Sequence, residues 1–360
     1  MKLNELRKKW QRFGDCYLLI KPEYLKINDL RYLTSFTGST GIFFQTKDKN
    51  YLLVPERDYE MAKKINLTEI ELKVGNKDTF KKFIKSIIKK EKIKKIVTEG
   101  YLSRTLIERL EKLLKTKIVS KEGLVSSLRI QKTDFEIEKL KKAQEVTDKI
   151  FEEILDFIKP EKHKEKDIAF KIYELAIRKY NCEGLSFEPI IASGEGSSIP
   201  HYKTSNKIIE NNKPLLLDFG VILNGYVSDM TRTIWIGSKV DLDFKKAYQI
   251  VLEAQKRALE ACFFKKERRA KEIDKVARDY IEKNGYKGKF IHSTGHGIGL
   301  DIHEAPTISP FSKEKLRGRE VVTIEPGVYL EGKWGIRIED TILAGEGENF
   351  TKSTKNLIKL

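Results

Sequence analysis

An Asn-Gly pair set between two strand-like runs constrains this chain more than any other feature. Pro214-Leu-Leu-Leu-Asp-Phe-Gly220 precedes Asn224-Gly225, and Tyr226-Val-Ser-Asp-Met-Thr-Arg-Thr-Ile-Trp-Ile236 follows it. Asn-Gly accepts the positive φ angles of a two-residue hairpin turn. Such a turn sets Leu223 opposite Tyr226 and Asp218 opposite Thr231. Asp229, two residues before Thr231, then shares a face with Asp218 as its diagonal neighbour, about 7–8 Å away along the backbone. Two carboxylates on one face among apolar residues repel each other and lose hydration. Either one acid caps a turn while the other pairs with Arg232, or a divalent cation sits between them.

A second cluster lies at Phe290-Ile-His-Ser-Thr-Gly-His-Gly-Ile-Gly-Leu-Asp-Ile-His-Glu304. It holds His292, His296 and His303, three of the chain's five histidines. Its alternate glycines disfavour a helix and suit backbone packed closely around a site. Two further acids sit in strand-like contexts. Glu325 ends Val-Val-Thr-Ile-Glu-Pro-Gly, and Glu339 lies in Gly335-Ile-Arg-Ile-Glu-Asp-Thr341. Read blandly, Glu325 flanks a turn and Glu339 pairs with Arg337. Read together, four carboxylates and an imidazole form an oxygen-rich set sufficient for two divalent ions. Two such ions can bind and deprotonate a water and polarise a carbonyl or phosphoryl oxygen.

The remaining chain supplies the frame. Its 360 residues suggest two domains, and 40% hydrophobic content excludes a disordered chain. Tyr17–Ile20, Gly41–Phe44, Tyr51–Val54 and Ile93–Thr98 read as strands, and Phe80–Lys90 and Ser103–Leu114 as helices, so residues 1–123 are expected to form an α/β domain. From Thr133, a helix cap, the pattern is helical to Ile158, again over about Glu165–Tyr180, then strand-rich. Helices follow at about Asp243–Cys262 and Arg269–Lys283, with strands from Phe290 onward. Helix pair, strands, helix pair, strands implies an internal duplication of architecture over residues 124–360. The fold class expected is α+β.

The charge of +17 raises the question of nucleic acid or an anionic membrane. Its densest stretch, Lys81–Lys95, lies opposite Phe83, Ile84, Ile87 and Ile88, which makes it a solvated helix face, with no nucleic-acid or membrane partner expected. No apolar run approaches the ~18 residues of a membrane span. Three cysteines, Cys16, Cys182 and Cys262, read as free thiols of a reducing compartment, so a cytoplasmic protein is expected.

These motifs resemble those of the pita-bread metallopeptidases, which include aminopeptidase P, proline dipeptidase and, more distantly, methionine aminopeptidase. The resemblance runs from Tyr32-Leu-Thr-Ser-Phe-Thr-Gly-Ser39 to Ile336-Arg-Ile-Glu-Asp340. It implies a creatinase-type N-terminal domain and a pita-bread catalytic domain whose halves are related by a pseudo-twofold. It also implies a metal set of Asp218, Asp229, His296, Glu325 and Glu339, with Asp229 and Glu339 bridging. By the same resemblance His201, in Ser198-Ile-Pro-His-Tyr202, contacts the substrate near its proline. His292 and His303 line the cleft, Glu325 takes part in catalysis, and Arg337 is the one residue available to clamp a substrate carboxylate. Gly194-Glu-Gly-Ser-Ser198 departs from the family's usual Asn-containing approach to the Pro-His segment, though no departure touches a metal ligand.

A peptide bond ending at proline lacks an N–H and resists ordinary peptidases. The expected activity is hydrolysis of the Xaa-Pro bond in peptides with proline second, in the manner of aminopeptidase P. The alternative is a proline dipeptidase acting on Xaa-Pro dipeptides. A non-catalytic peptide- or nucleic-acid-binding member of the fold, and the metal-free creatine hydrolase branch, should show gaps among the five ligand positions, and none is present. The implied cofactor is a pair of divalent ions, Mn²⁺ first, with Co²⁺ or Zn²⁺ able to fill the same donors. The family implies a homodimer.

Overall fold

Residues 2–263 and 268–360 are described by the structure, a computed structural model. The chain divides into two compact units, Met1–Arg129 and Ile130–Leu360. Residues 124–129, which the sequence reading put with the second domain, group with the first. There the Val125 N–H donates to Glu99 Oε1 at 2.9 Å and Arg129 pairs with Asp29 at 2.9 Å.

The first unit is a six-stranded mixed sheet flanked by helices. Its strands are β1 (Cys16–Lys21), β2 (Gly41–Gln45), β3 (Asn50–Pro55), β4 (Glu71–Gly75), β5 (Lys95–Glu99) and β6 (Lys117–Lys121), in the order β4-β3-β2-β1-β5-β6. The helices are α1 (Lys2–Trp10), α2 (Asp29–Thr34), α3 (Tyr59–Lys63), α4 (Lys77–Lys90) and α5 (Arg104–Leu114). Asn76 and Ser103 cap α4 and α5 by accepting backbone N–H groups of their first turns. Phe80 and Ile84 of α4 enter the core with Leu18, Phe44, Leu53 and Ile96, leaving the lysines of that helix outward. The two strands the sequence reading missed, β4 and β6, are the sheet's edges. Their charged, half-exposed residues protect an edge and blur the apolar signal.

In the second unit the expected repetition is present. Its first half has α6 (Asp134–Phe157), α7 (Glu165–Glu174), β7 (Gly184–Leu185), β8 (Ile190–Ser193), β9 (Lys213–Phe219), β10 (Val221–Leu223), β11 (Tyr226–Val227) and β12 (Met230–Ile236). Thr133 and Glu136 form a reciprocal capping box that starts α6. The second half has α8 (Leu242–Phe263), β13 (Arg268–Arg269), α9 (Ala270–Ile281), β14 (Gly295–Gly297), β15 (Glu304–Ile308), β16 (Lys315–Leu316), β17 (Val321–Ile324), β18 (Gly327–Leu330), β19 (Trp334–Arg337), β20 (Asp340–Leu343) and β21 (Glu348–Asn349). Each half thus packs a helix pair on strands over its own apolar core.

Both halves carry one long hairpin broken at its middle. In the first, the Asn224-Gly225 turn has positive φ at both residues, 52° and 83°. Leu223 pairs with Tyr226 and Asp218 with Thr231, the register expected from sequence. At Gly220 the ladder divides, β9 and β12 joining β8 while β10 and β11 join β7. A Cβ at Gly220 would lie 1.8 Å from the Ser228 carbonyl oxygen, so only glycine permits that crossing. In the second hairpin, β17 pairs with β20 and β18 with β19, the break falling at Glu325-Pro326 on one side and Ile338-Glu339 on the other. No helix among the described residues is long and apolar enough to cross a membrane.

Candidate metal centre

The hairpin breaks and the strand β14 put the acids where the two halves of this unit meet. Asp218 is the penultimate residue of β9, and Asp229 lies in the gap between β11 and β12. Glu325 and Glu339 occupy the two corners of the second hairpin, and His296 is the middle residue of β14. A strand break turns a side chain away from the ladder, which lets acids from different sheets converge.

Ligand atoms of Asp229, His296 and Glu339 all lie within 4.8 Å of one another. His296 Nε2 is 3.5 Å from Asp229 Oδ2 and 3.6 Å from Glu325 Oε1. The other ring nitrogen, Nδ1, lies 3.0 Å from the Gly297 carbonyl oxygen, which can only accept, so the proton sits on Nδ1. A lone pair on Nε2 therefore faces two carboxylates. Asp218 presents the same deficit. Its Oδ2 receives Arg337 Nη2 at 2.5 Å, yet its buried Oδ1 has no hydrogen-bond partner. Electron-rich atoms gathered this closely without a donor between them fit a divalent cation, and the donor set of carboxylate oxygens and one imidazole suits a hard to borderline metal.

Electrostatics agree with that fit. Burial, followed by repulsion from Glu339, Asp218 and Glu325, holds the Asp229 carboxyl well above its ordinary range. Burial and the neighbouring Glu325 and Asp218 do the same to Glu339. Glu325 is pushed up to about 7, chiefly by burial. Asp218 is raised by burial too, against the opposing pull of Arg337. Burial drives His296 down to about 4 and His292 to about 3, so both rings are neutral at pH 7. Two neutral hydroxyls steady the acids: Thr231 Oγ1 donates to Glu339 Oε2 at 2.7 Å, and Thr323 Oγ1 to Glu325 Oε1 at 3.4 Å.

The histidines divide into two kinds. His303 is exposed, its ring centroid 4.4 Å from that of His296. His201 is also exposed, and the carbonyl oxygen of the preceding Pro200 accepts from Arg337 Nη1 at 3.4 Å, which places it at the same opening. His292 is held more tightly. Its Nδ1 donates to the Ser293 carbonyl at 2.8 Å, leaving Nε2 to accept from Tyr329 Oη at 2.8 Å. Tyr329 Oη in turn accepts from Arg337 Nη1 at 2.9 Å.

Arg337 is only 4% exposed. Its remaining donors reach Thr231 Oγ1 at 3.0 Å and the Pro200 carbonyl oxygen at 3.4 Å. The guanidinium is engaged within the protein on Asp218 and Tyr329, not on Glu339 as the bland reading had it. A substrate carboxylate reaching it would compete with those partners. The sequence reading paired Arg232 with one of the hairpin acids as its bland alternative, and this pairing is absent. Arg232 is bound to Asp340, the residue after Glu339, at 2.8 Å.

Sequence reasoning missed Tyr329. The signal lay in the second hairpin's register, where Gly327 pairs with Arg337 and Tyr329 with Gly335, making Tyr329 and Arg337 diagonal neighbours on one face. It also missed Gln144 of α6, whose buried Oε1 accepts the Asp229 backbone N–H at 3.4 Å. A lone amide within a helical pattern gives no sign of what it meets.

Comparison with known proteins follows the same division of the chain. Residues 138–346 match metallopeptidase family M24, and residues 3–131 match the creatinase/prolidase N-terminal domain. The chain is 41% identical over 332 residues to an Xaa-Pro dipeptidase of Pyrococcus furiosus, covering 90% of this chain and 91% of that protein. Among solved structures it is similar to an Xaa-Pro dipeptidase from Bacillus anthracis, with a TM-score of 0.92 and 36% identity over 100% of this chain and 99% of the other. It is also similar to an X-Pro aminopeptidase from Thermotoga maritima MSB8, with a TM-score of 0.89 and 34% identity over 98% and 100% of the two chains.

Proposed function

This chain belongs to metallopeptidase family M24, a divalent-metal-dependent metallo-exopeptidase with a creatinase/prolidase N-terminal domain, and from that premise we propose that it is an Xaa-Pro dipeptidase. The observation that carries the metal reading is the lone pair of His296 Nε2 set among the Asp229 and Glu325 carboxylates, together with the unpartnered Asp218 Oδ1. The sequence marks no carboxylate clamp beyond Arg337, which by itself favours the longer peptides of an aminopeptidase P. Similarity to proteins named Xaa-Pro dipeptidase over nine-tenths of the chain supports the shorter substrate instead.

In this reading Asp218, Asp229, His296, Glu325 and Glu339 hold two divalent ions, with Mn²⁺ the metal proposed and Co²⁺ or Zn²⁺ the substitutes. When bound, the ions supply Lewis acidity toward the scissile carbonyl and lower the pKa of water. The chain's own groups do the rest. Glu325 takes a proton from the attacking water on its carboxylate and returns it to the departing proline nitrogen. The exposed imidazoles of His201 and His303 orient the proline side of the substrate and stabilise developing charge. His292 keeps a fixed tautomer through Ser293 and Tyr329, so its ring can line the cleft without changing its protonation. Arg337 offsets the charge of Asp218 and holds Tyr329 in place. The three buried thiols are free, which suits the reducing, cytoplasmic setting proposed from their number. A homodimer is part of the same proposal.

The test compares Gly-Pro with Gly-Pro-Ala on Mn²⁺-loaded protein. A dipeptidase cleaves Gly-Pro and rejects the tripeptide. Cleavage of Gly-Pro-Ala at least as well as Gly-Pro would return the reading to an aminopeptidase P.

A further inference from the structure

Behind the metal centre, Asp340 forms a fully buried hub. It is 0% exposed and meets donors from four separate parts of the second unit. Arg232 Nη2 on β12 reaches its Oδ1 at 2.8 Å. Its Oδ2 receives Gln255 Nε2 of α8 at 2.9 Å, Asn349 Nδ2 at 2.7 Å and Lys355 Nζ at 2.7 Å.

Arg232 uses every N–H it has. Besides Asp340, it donates to the carbonyl oxygens of Thr231 and Glu339 through Nη1, to Ser353 through Nη2 and to Thr354 through Nε. One guanidinium therefore fixes the backbone of Glu339, of the strand following Asp229, and of the segment 353–354. That segment is fastened elsewhere too. Asp148 of α6 accepts the backbone N–H groups of Lys352 and Ser353, each at 2.9 Å. Thr351 Oγ1 accepts the Thr341 N–H at 3.0 Å, and Thr341 Oγ1 donates to the Asp229 carbonyl oxygen at 3.0 Å. Further along, Ile358 and Leu360 bond Trp235 at the far end of β12.

We infer that residues Thr351–Lys355 are a strap that positions Asp229 and Glu339, and that Lys355 is the positioning residue that locks it. The inference rests on reading those two acids as metal ligands. Polar groups that orient metal-binding side chains commonly govern affinity by about 10–100-fold, because ligand atoms must be held within a few tenths of an ångström. Lys355 is the suitable member to remove, since it is partly solvated while Asp340 keeps Arg232, Gln255 and Asn349.

Charge and position make opposite predictions here. Lys355 is a cation near a carboxylate cluster, so deleting its charge alone would tighten the binding of another cation. Deleting its grip on Asp340 lets the Glu339–Asp340 backbone relax and weakens binding. The sign of the change therefore separates the two.

The experiment is calorimetric titration of chelator-stripped protein with Mn²⁺, for the wild type, Lys355→Met, Lys355→Arg and Thr351→Val. Lys355→Met is expected to bind Mn²⁺ about tenfold more weakly, with Lys355→Arg largely restored. Thr351→Val, nearly isosteric and lacking only the acceptor for Thr341, should shift in the same direction and decides the matter should Lys355→Met fail to fold. Unchanged or tighter binding in folded Lys355→Met or Thr351→Val overturns the inference. Failure of the wild type itself to bind Mn²⁺ would instead overturn the metal reading beneath it.

Discussion

Arg337 Nη2 lies 2.5 Å from Asp218 Oδ2, while the other oxygen of the same carboxylate has no donor at all. One half of Asp218 is thus neutralised by protein, and the other half is free to take the cation proposed for this site. Removing the arginine strands a buried charge, which typically costs roughly 3–5 kcal/mol. Arg337→Met should therefore destabilise the metal-free protein by about that amount. In the metal-loaded protein the loss should be smaller, because a bound cation then offsets Asp218. Denaturant unfolding of both forms checks this, and an equal loss in each would show that Asp218 faces no metal.

His201 tests the substrate side of the site. It is exposed at the opening and belongs to none of the proposed ligand positions. His201→Ala should lower turnover of Gly-Pro by ~10²–10³, the usual cost of one transition-state donor, with metal content unchanged. Steady-state kinetics beside elemental analysis would show it. Unaltered turnover would remove this histidine from the mechanism.

Away from the site, Glu99 makes a prediction about pH. Burial, its dominant influence, raises this carboxyl above the ordinary range, even though Tyr17 Oη and the Val125 N–H both donate to Oε1 at 2.9 Å. A folded-state pKa above the unfolded value means that stability is fullest below the unfolded pKa and is lost as pH rises through the folded one. Glu99→Gln keeps an acceptor oxygen and cannot ionise. Its stability relative to wild type should therefore improve progressively as pH rises from about 4 to 7. Melting temperatures across that range would reveal the trend, and a constant difference would contradict it.

The basic charge should be separable from catalysis. Lys89, Lys90, Lys94 and Lys95 are exposed and lie in the first unit, outside every strand that carries a proposed ligand. Reversing all four to glutamate should leave Gly-Pro hydrolysis nearly unchanged. A large loss of kcat/KM would mean that this face serves the substrate route or an assembly contact.

What was legible in sequence follows from how local each signal is. The Asn224-Gly225 turn fixes its own register, so the pairing of Asp218 with Thr231 could be counted out residue by residue. The broken ladder could not, because the split at Gly220 depends on β7 and β8, which come from elsewhere in the chain. Thr133 adjoins the first residue of α6 and Pro160 lies three residues past its last, whereas Gln144 in its middle acquires meaning only by meeting Asp229. Glu325 and Glu339 read as strand residues from their apolar neighbours and turn out to be corners between two sheets. The partners of Arg232 and Arg337 were beyond reach for the same reason. Each spans about a hundred residues of sequence, and alternation along a strand says which face an arginine takes but not which acid waits there.

The proposed dinuclear centre is tested most directly by metal content measured together with Gly-Pro hydrolysis, on wild type and Asp229→Ala, after chelation and reloading with Mn²⁺. Asp229 is proposed to bridge, so its loss should deprive both ions of their shared ligand. Wild type should take up two ions per chain and regain hydrolysis, while Asp229→Ala folds, holds fewer ions and stays inactive. A variant that keeps both ions and near-normal turnover, or a wild type that is fully active when stripped, would contradict the account.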